Sequence, residues 1–411
     1  MMVYILNQEG KPLMPTNRHG KVKHLLREGR AKVVKRTPFT IQLLYATTDC
    51  VQPIVLGVDA GSKVIGLSAT TEKEELFASE VVLRNDIVEL LSTRRQNRRT
   101  RRNHLRYRKA RFLNRVKSKN KGWLAPSIQH KVDSHLKAIA NVYKILPISK
   151  IIIETASFDI QKIKNPQISG VDYQQGEQEG FWNVREYVLW RDGHECQHCH
   201  GKSKDKVLNV HHKESRKTGG DSPGNLVTLC ENCHTLHHKG KIELNLTKNK
   251  SYRDATFMGI MRWQIYNKLK EIYPNISTTY GYITKNNRIT NGIEKTHTAD
   301  AFCIAGSLKA KRSSVVYFQT FKRRHNRQIH KANFLKGGKK KLNQSPYEVK
   351  GFRLFDKVLF QEKECFVFGR RATGYFDLRK LDGTVIHRSA SVKNIKLLEK
   401  KSTLLIERQV A

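Results

Sequence analysis

The chain reads as an α/β protein whose main sheet is assembled from segments far apart in sequence, and three observations predict this. Two apolar runs, PIVLGVDAGSKVIG at 53–66 and KIIIET at 150–155, have the look of strands buried on both faces, and each carries one acid, Asp59 and Glu154. A carboxylate beside Ile54, Val55, Leu56 and Val58 is costly to bury without a cation or donors, so Asp59 asks for company. Between these runs lies a stretch of arginines, and after them come two Cys-x-x-Cys pairs that mark a separate small module.

Taken in order, residues 1–52 form a small α/β module with a strand at 2–6, a basic helix at 17–28, and strands at 31–35 and 39–45 across the Thr37-Pro38 turn. Its helix and turns carry Arg18, Lys21, Lys23, Arg27, Arg30, Lys32, Lys35 and Arg36, either a solvated face or a surface for nucleic-acid backbone. Residues 53–85 alternate and pause at glycines as successive strands do. Over 86–122 the character changes: arginine recurs at nearly every second place from 94 to 115, no acid stands between 90 and 132, and no Pro or Gly interrupts 94–115. A long helix is the local expectation, and in water its charges repel unless phosphates surround them. Arg94, Arg95, Arg98, Arg99, Arg101, Arg102, Arg106, Arg108 and Arg111 are the candidate contacts, since guanidinium suits bidentate phosphate binding.

Within 123–165 an amphipathic helix at 127–146 is turned by Pro147 into the strand that carries Glu154. A Gln- and Gly-rich linker at 166–180 leads to the inserted module at 181–245. There Cys196, Cys199, Cys230 and Cys233 supply four thiolates for a closed tetrahedral zinc site, which is expected to be part of the folding energy of so small a module. Four sulfurs leave no open position on zinc, so His211, His212, Asn225 and His234 are available for another task, or are spare ligands and surface groups. In 246–322 a helix at 252–272 precedes KTHTADAFCIAG, where His297 and Asp300 share one helical face, and 315–321 reads as a strand. The segment 323–350 is basic and loose. Short alternating strands with an Asp382-Gly383 turn make 351–411 a small barrel or curled sheet. Arg370, Arg371, Tyr375, Arg379 and Lys380 are its candidate DNA contacts, and a plain stabilising domain fits equally well.

Composition bounds the partners. The 411 residues hold 77 Lys+Arg against 36 Asp+Glu, a formal charge of +41, which calls for a polyanion and most simply for nucleic acid. No run approaches the roughly 20 apolar residues of a spanning helix, and the first residues lack the basic-then-apolar order of a signal peptide, so a cytoplasmic protein without a membrane partner is expected. The paired spacing of four of the seven cysteines fits metal rather than disulfides.

The order His211-His212, Asn225, then His234 directly after Cys233 resembles the ββα-metal nucleases called HNH. That resemblance implies His212 as general base on water, His211 and His234 as ligands of Mg²⁺ or Mn²⁺, and Asn225 as the residue that orients loop and base; the two adjacent histidines can also exchange roles. Asp59, Glu154, His297 and Asp300 follow first strand, later strand and final helix, as in the RuvC family of RNase H-like nucleases, with His297 where resolvases of that family carry another acid. Such a cluster would hold two Mg²⁺ ions roughly 3.5–4 Å apart. The whole order, including the KPLMP string at 11–15, resembles the IscB family. The fold this implies is an RNase H-like core split in three segments, with an inserted zinc-bound HNH domain, an arginine-rich bridge helix and a β-rich C-terminal domain. The implied function is that of a monomeric, transposon-encoded RNA-guided DNA endonuclease. It would bind a structured ωRNA and cut a duplex beside a short target-adjacent motif, HNH on the guide-paired strand and RuvC on the displaced one. An unguided structure-selective nuclease and a non-catalytic RNA-binding accessory protein are the other readings.

Overall fold

The computed structural model describes residues 2–48, 50–105, 123–155, 178, 180–214, 221, 223–244, 253–323 and 346–410. The chain divides into two compact units, Met1–Ala156 with Ile260–Ala411, and Ser157–Gly259. The second unit is wider than the inserted module expected at 181–245.

The first unit opens with β1 (Tyr4–Leu6), α1 (His19–Arg27), β2 (Ala31–Lys35) and β3 (Thr40–Leu43). β3 lies in the middle, parallel to β1 and antiparallel to β2. Val22 and Leu25, one turn apart on α1, close its core over Val3, Ala31, Ile41 and Leu43. Next come β4 (Val55–Ala60), β5 (Val64–Thr70) and β6 (Glu75–Val82), an antiparallel meander. α2 (Ile87–Leu105) follows and carries the first half of the arginine run; Arg94, Arg95, Arg98 and Arg99 are exposed, and Arg101 and Arg102 are helical. Arg106, Arg108 and Arg111 lie outside the described residues. α3 (Pro126–Tyr143), with Pro at the first turn where its missing N–H costs nothing, leads to β7 (Lys150–Glu154).

The second unit holds α4 (Val184–Arg191), β8 (Leu208–His212), β9 (Leu226–Cys230) and α5 (Glu231–His238). β8 and β9 form an antiparallel hairpin, His212 opposite Leu226. Its apolar centre is thin: Val227 and Leu229 pack with Cys196, Cys230 and Cys233 in one cluster, Tyr187, Val188 and Leu226 in another.

The chain continues with α6 (Arg253–Ile272), β10 (Ile276–Thr279), α7 (Gly281–Thr290), α8 (His297–Ala305) and β11 (Val315–Phe321). The tail supplies β12 (Glu348–Val349), β13 (Phe352–Arg353), β14 (Lys357–Phe360), β15 (Lys363–Arg370), β16 (Tyr375–Arg379), β17 (Val385–Ser391), β18 (Ile395–Glu399) and β19 (Leu404–Val410). Five of these make a curled sheet of order β17-β16-β15-β14-β18 around Val358, Cys365, Val367, Phe376 and Leu378. β19 does not stay with it. It pairs antiparallel with β11 along its whole length, so the range 351–411 expected as one β domain ends on a strand of the main sheet. Alternation in LLIERQV fixes which face is apolar but not which edge the strand joins.

The main sheet has seven strands in the order β10-β7-β4-β5-β6-β11-β19. Leu56, Val58, Ile65, Leu67, Ile151 and Ile153 at its centre are 0% exposed, each contributing roughly 1.5–3 kcal/mol by burial. β4, β7 and β10 run parallel, so their carboxyl ends share one edge, where ligands of open α/β sheets usually sit.

Candidate metal centres

The first centre is built by that edge and by α8. β4 and β7 pair from Val55↔Lys150 to Val58↔Ile153, which brings the next residues, Asp59 and Glu154, out side by side. α8 lies across β4 and β5 because two glycines let it. A Cβ on Gly57 would stand 2.0 Å from the Ala301 carbonyl oxygen, and one on Gly66 2.0 Å from that of His297. Thr296 caps α8 by accepting from the Ala299 N–H at 3.0 Å, which starts the helix at His297. His297 Nδ1 then meets Asp59 Oδ2 at 2.7 Å, and Asp300, one turn on, pairs with Arg288 Nε at 3.1 Å.

The electrostatics are those of crowded acids. Burial raises the Glu154 carboxyl above its ordinary value, with Asp59 and Asp300 adding to the rise and a Thr284 hydrogen bond opposing it. Asp300 is raised by burial and by Asp59, against Arg288, Lys295 and His297. His297 is raised chiefly by its bond to Asp59. Carboxylates held up in this way favour a bound cation, and oxygen donors of this kind suit Mg²⁺. Of the four predicted residues, His297 and Asp59 touch, and Glu154 and Asp300 lie near enough to Asp59 to feel its charge. Arg288 and Thr284 on α7 join them without any signal in sequence.

The second unit has two clusters. The Sγ atoms of Cys196, Cys199, Cys230 and Cys233 all lie within 4.8 Å of one another, and Cys199 and Cys230 are 3.8 Å apart. Tetrahedral zinc with Zn–S of about 2.3 Å needs sulfurs about 3.8 Å apart, so the four cysteines fit the metal. Cys230 also caps α5, which puts Cys233 one turn further and His234 next to it.

His211, His234 and His238 form the other cluster, with ligand nitrogens within 4.8 Å. His238 Nε2 is 3.2 Å from His234 Nε2. Burial and the surrounding histidines push His211 down to about 4, so its imidazole is neutral at ordinary pH, as a metal ligand must be. Three imidazoles suit a transition-metal ion better than Mg²⁺, which prefers oxygen. His238 was readable: it stands four residues after His234 on one helical face. His212 points elsewhere, its Nε2 at 2.9 Å from Asp221 Oδ1. Asn225, 4% exposed, accepts from the Glu214 N–H at 2.8 Å and donates to the Glu214 carbonyl at 3.0 Å, fixing the loop after β8.

The tail cations are more committed than the sequence suggests. Arg370 donates to the Pro346 carbonyl, Arg371 to Ser389, and Arg379 binds Asp377 through two nitrogens, while Tyr375 and Lys380 are exposed. Among the described residues no helix is long and apolar enough to cross a membrane.

Residues 3–176 match the family described as RRXRR protein, and residues 196–240 match the HNH endonuclease family. No curated protein matches the chain. Among solved structures, Cas9 of Streptococcus thermophilus in complex with the AGAA PAM matches at 16% identity over 51% of this chain and 30% of that one, with a TM-score of 0.34. The same Cas9 with the AGGA PAM matches at 18% over 51% and 30%, with a TM-score of 0.35. The chain thus spans less than a third of the Cas9 chains it matches.

Proposed function

We propose that this chain, with an RRXRR segment ahead of an HNH endonuclease segment, is an RNA-guided DNA endonuclease of the IscB type with two separate cutting centres. The observation that carries the reading is that one chain holds, besides its four-cysteine cluster, a three-histidine cluster on a hairpin and helix, and separately brings Asp59 and Glu154 to neighbouring strand ends with His297 bonded to Asp59. Divalent cations bound there would offset charge that grows on the phosphate during hydrolysis.

In the HNH segment His212 is the base. Asp221 accepts from its Nε2–H, which leaves Nδ1 unprotonated and able to take a proton from water. His211, His234 and His238 hold the cation, and Asn225 keeps the loop in place. At the other centre Asp59, Glu154 and Asp300 hold Mg²⁺, and His297 stays oriented by Asp59. The HNH centre cuts the guide-paired strand and the acid centre the displaced one. The charge of +41 supports guidance, because a structured ωRNA supplies both the missing counter-charge and the sequence reading. α2 and the exposed arginines it carries are its proposed bridge, and the β-rich tail the reader of the target-adjacent motif.

The test is the nucleic acid that copurifies with the full chain. An RNA of defined sequence that survives washing at about 0.5 M salt, and whose exchange redirects cutting to a new target, is expected. A mixture released by about 0.5 M salt, as phosphate contacts alone allow, would replace this reading with an unguided nuclease.

A further inference from the structure

Helix α7 divides its work between two faces. Thr284 and Arg288, one turn apart, turn inward to Glu154 and Asp300. Tyr282, Lys285 and Ile289 share an adjoining, exposed face. Just before the helix Tyr280 is exposed as well, and it caps the first turn by offering its carbonyl to the Ile283 and Thr284 N–H groups. Tyr280 and Tyr282 are 51% and 72% exposed, and their rings lie nearly parallel, 11° apart with centroids 6.0 Å from each other.

What makes this pair more than surface aromatics is its position. Thr279 is the register partner of Glu154, so Tyr280 is the first residue beyond the strand edge that carries the acids. Gly281, between the two tyrosines, packs so closely on the cluster that a Cβ there would stand 3.0 Å from Glu154 Oε1. Consecutive Cα atoms are about 3.8 Å apart, so both rings spring from within one residue of that contact. Two nearly parallel, largely exposed aromatic rings beside the acid cluster match the π-faces of nucleobases, which are available only when a strand is unpaired.

We propose that Tyr280 and Tyr282 form a stacking platform for unpaired bases of the DNA strand whose phosphate is delivered to Asp59, Glu154 and Asp300, with Lys285 beside the backbone. The inference rests on reading that cluster as a nuclease centre, and it adds the feature that selects single-stranded substrate there.

The experiment uses the full chain with Asp59→Asn and a single-stranded DNA carrying one 5-iodouracil, irradiated and mapped by peptide. A crosslink at Tyr280 or Tyr282 is expected. It should be lost in the double variant Tyr280→Ala/Tyr282→Ala and kept in Tyr280→Phe/Tyr282→Phe, since stacking needs the ring and not the hydroxyl. With Asp59 intact, the double alanine variant should raise KM for a single strand roughly 5- to 150-fold, the range of one unstacked base, while kcat changes little. Crosslinks only at other sites, an unchanged KM, or a crosslink at the pair with RNA of the same sequence but not with DNA would each overturn the platform. Crosslinking needs no turnover, so a wild-type chain lacking Asp59-dependent cutting counts against the nuclease reading alone.

Discussion

A methyl group on Gly66 would lie 2.0 Å from the His297 carbonyl oxygen, so Gly66→Ala has to lift the first turn of α8 off β5. Overpacking of this kind costs about 1–3 kcal/mol, and it moves His297 and Asp300 away from Asp59. Loss of cutting at the acid centre with Asp59, Glu154, His297 and Asp300 all intact is the expected result, and normal cutting by a well-folded Gly66→Ala protein would show that the helix contact is dispensable. His135 gives a second prediction at this scale. It is fully buried on α3, donates Nδ1–H to the Lys131 carbonyl at 2.8 Å, and is held down to about 4 by burial. Its folded value lies below its unfolded value near 6.5, so the unfolded chain binds the extra proton. Stability therefore falls as pH drops from about 6.5 towards 4, by at most about 3 kcal/mol from this group. Melting midpoints should decline less steeply over that window in His135→Leu than in the native chain. Asp59 and Glu154 were legible as acids at the ends of apolar runs. Asp221 and Arg288 were not, since a charged residue in a loop or on a helix looks the same in sequence whether it faces solvent or a partner across the fold.

At the scale of elements, local pattern served best where one element decides its own form. The helix expected at 127–146 is α3 (Pro126–Tyr143), and that at 252–272 is α6 (Arg253–Ile272). Choice of partner is where pattern stops, and β19 is the example. Its antiparallel pairing covers the edge of β11, which otherwise presents a row of open backbone groups. Ending the chain after Thr403 should consequently weaken the main sheet, read as faster hydrogen exchange along β11, whereas exchange confined to the tail would mean that β19 adds nothing there. The knuckle element has few apolar residues and four cysteines placed to fit zinc, so removing zinc should unfold the second unit. About one zinc per chain by elemental analysis, with loss of that unit's circular dichroism on chelation, is the expected outcome. A folded, zinc-free unit would contradict it.

For the whole molecule, composition spoke early and coarsely. A charge of +41 demands a polyanion but does not say which, and no spacing in the sequence separates guide from target. The arrangement of centres is more telling. Asp59, Glu154 and Asp300 converge from three distant segments, while the histidine cluster belongs wholly to the second compact unit. Two centres built from different donors should fail independently. The decisive measurement is strand-resolved cleavage of a labelled target duplex by the native chain, Asp59→Ala, His212→Ala and the double variant, each carrying its guide. The account predicts cuts in both strands for the native chain, a nick in one strand for Asp59→Ala, a nick in the opposite strand for His212→Ala, and binding without cutting for the double variant. Cleavage of both strands by either single variant would contradict it.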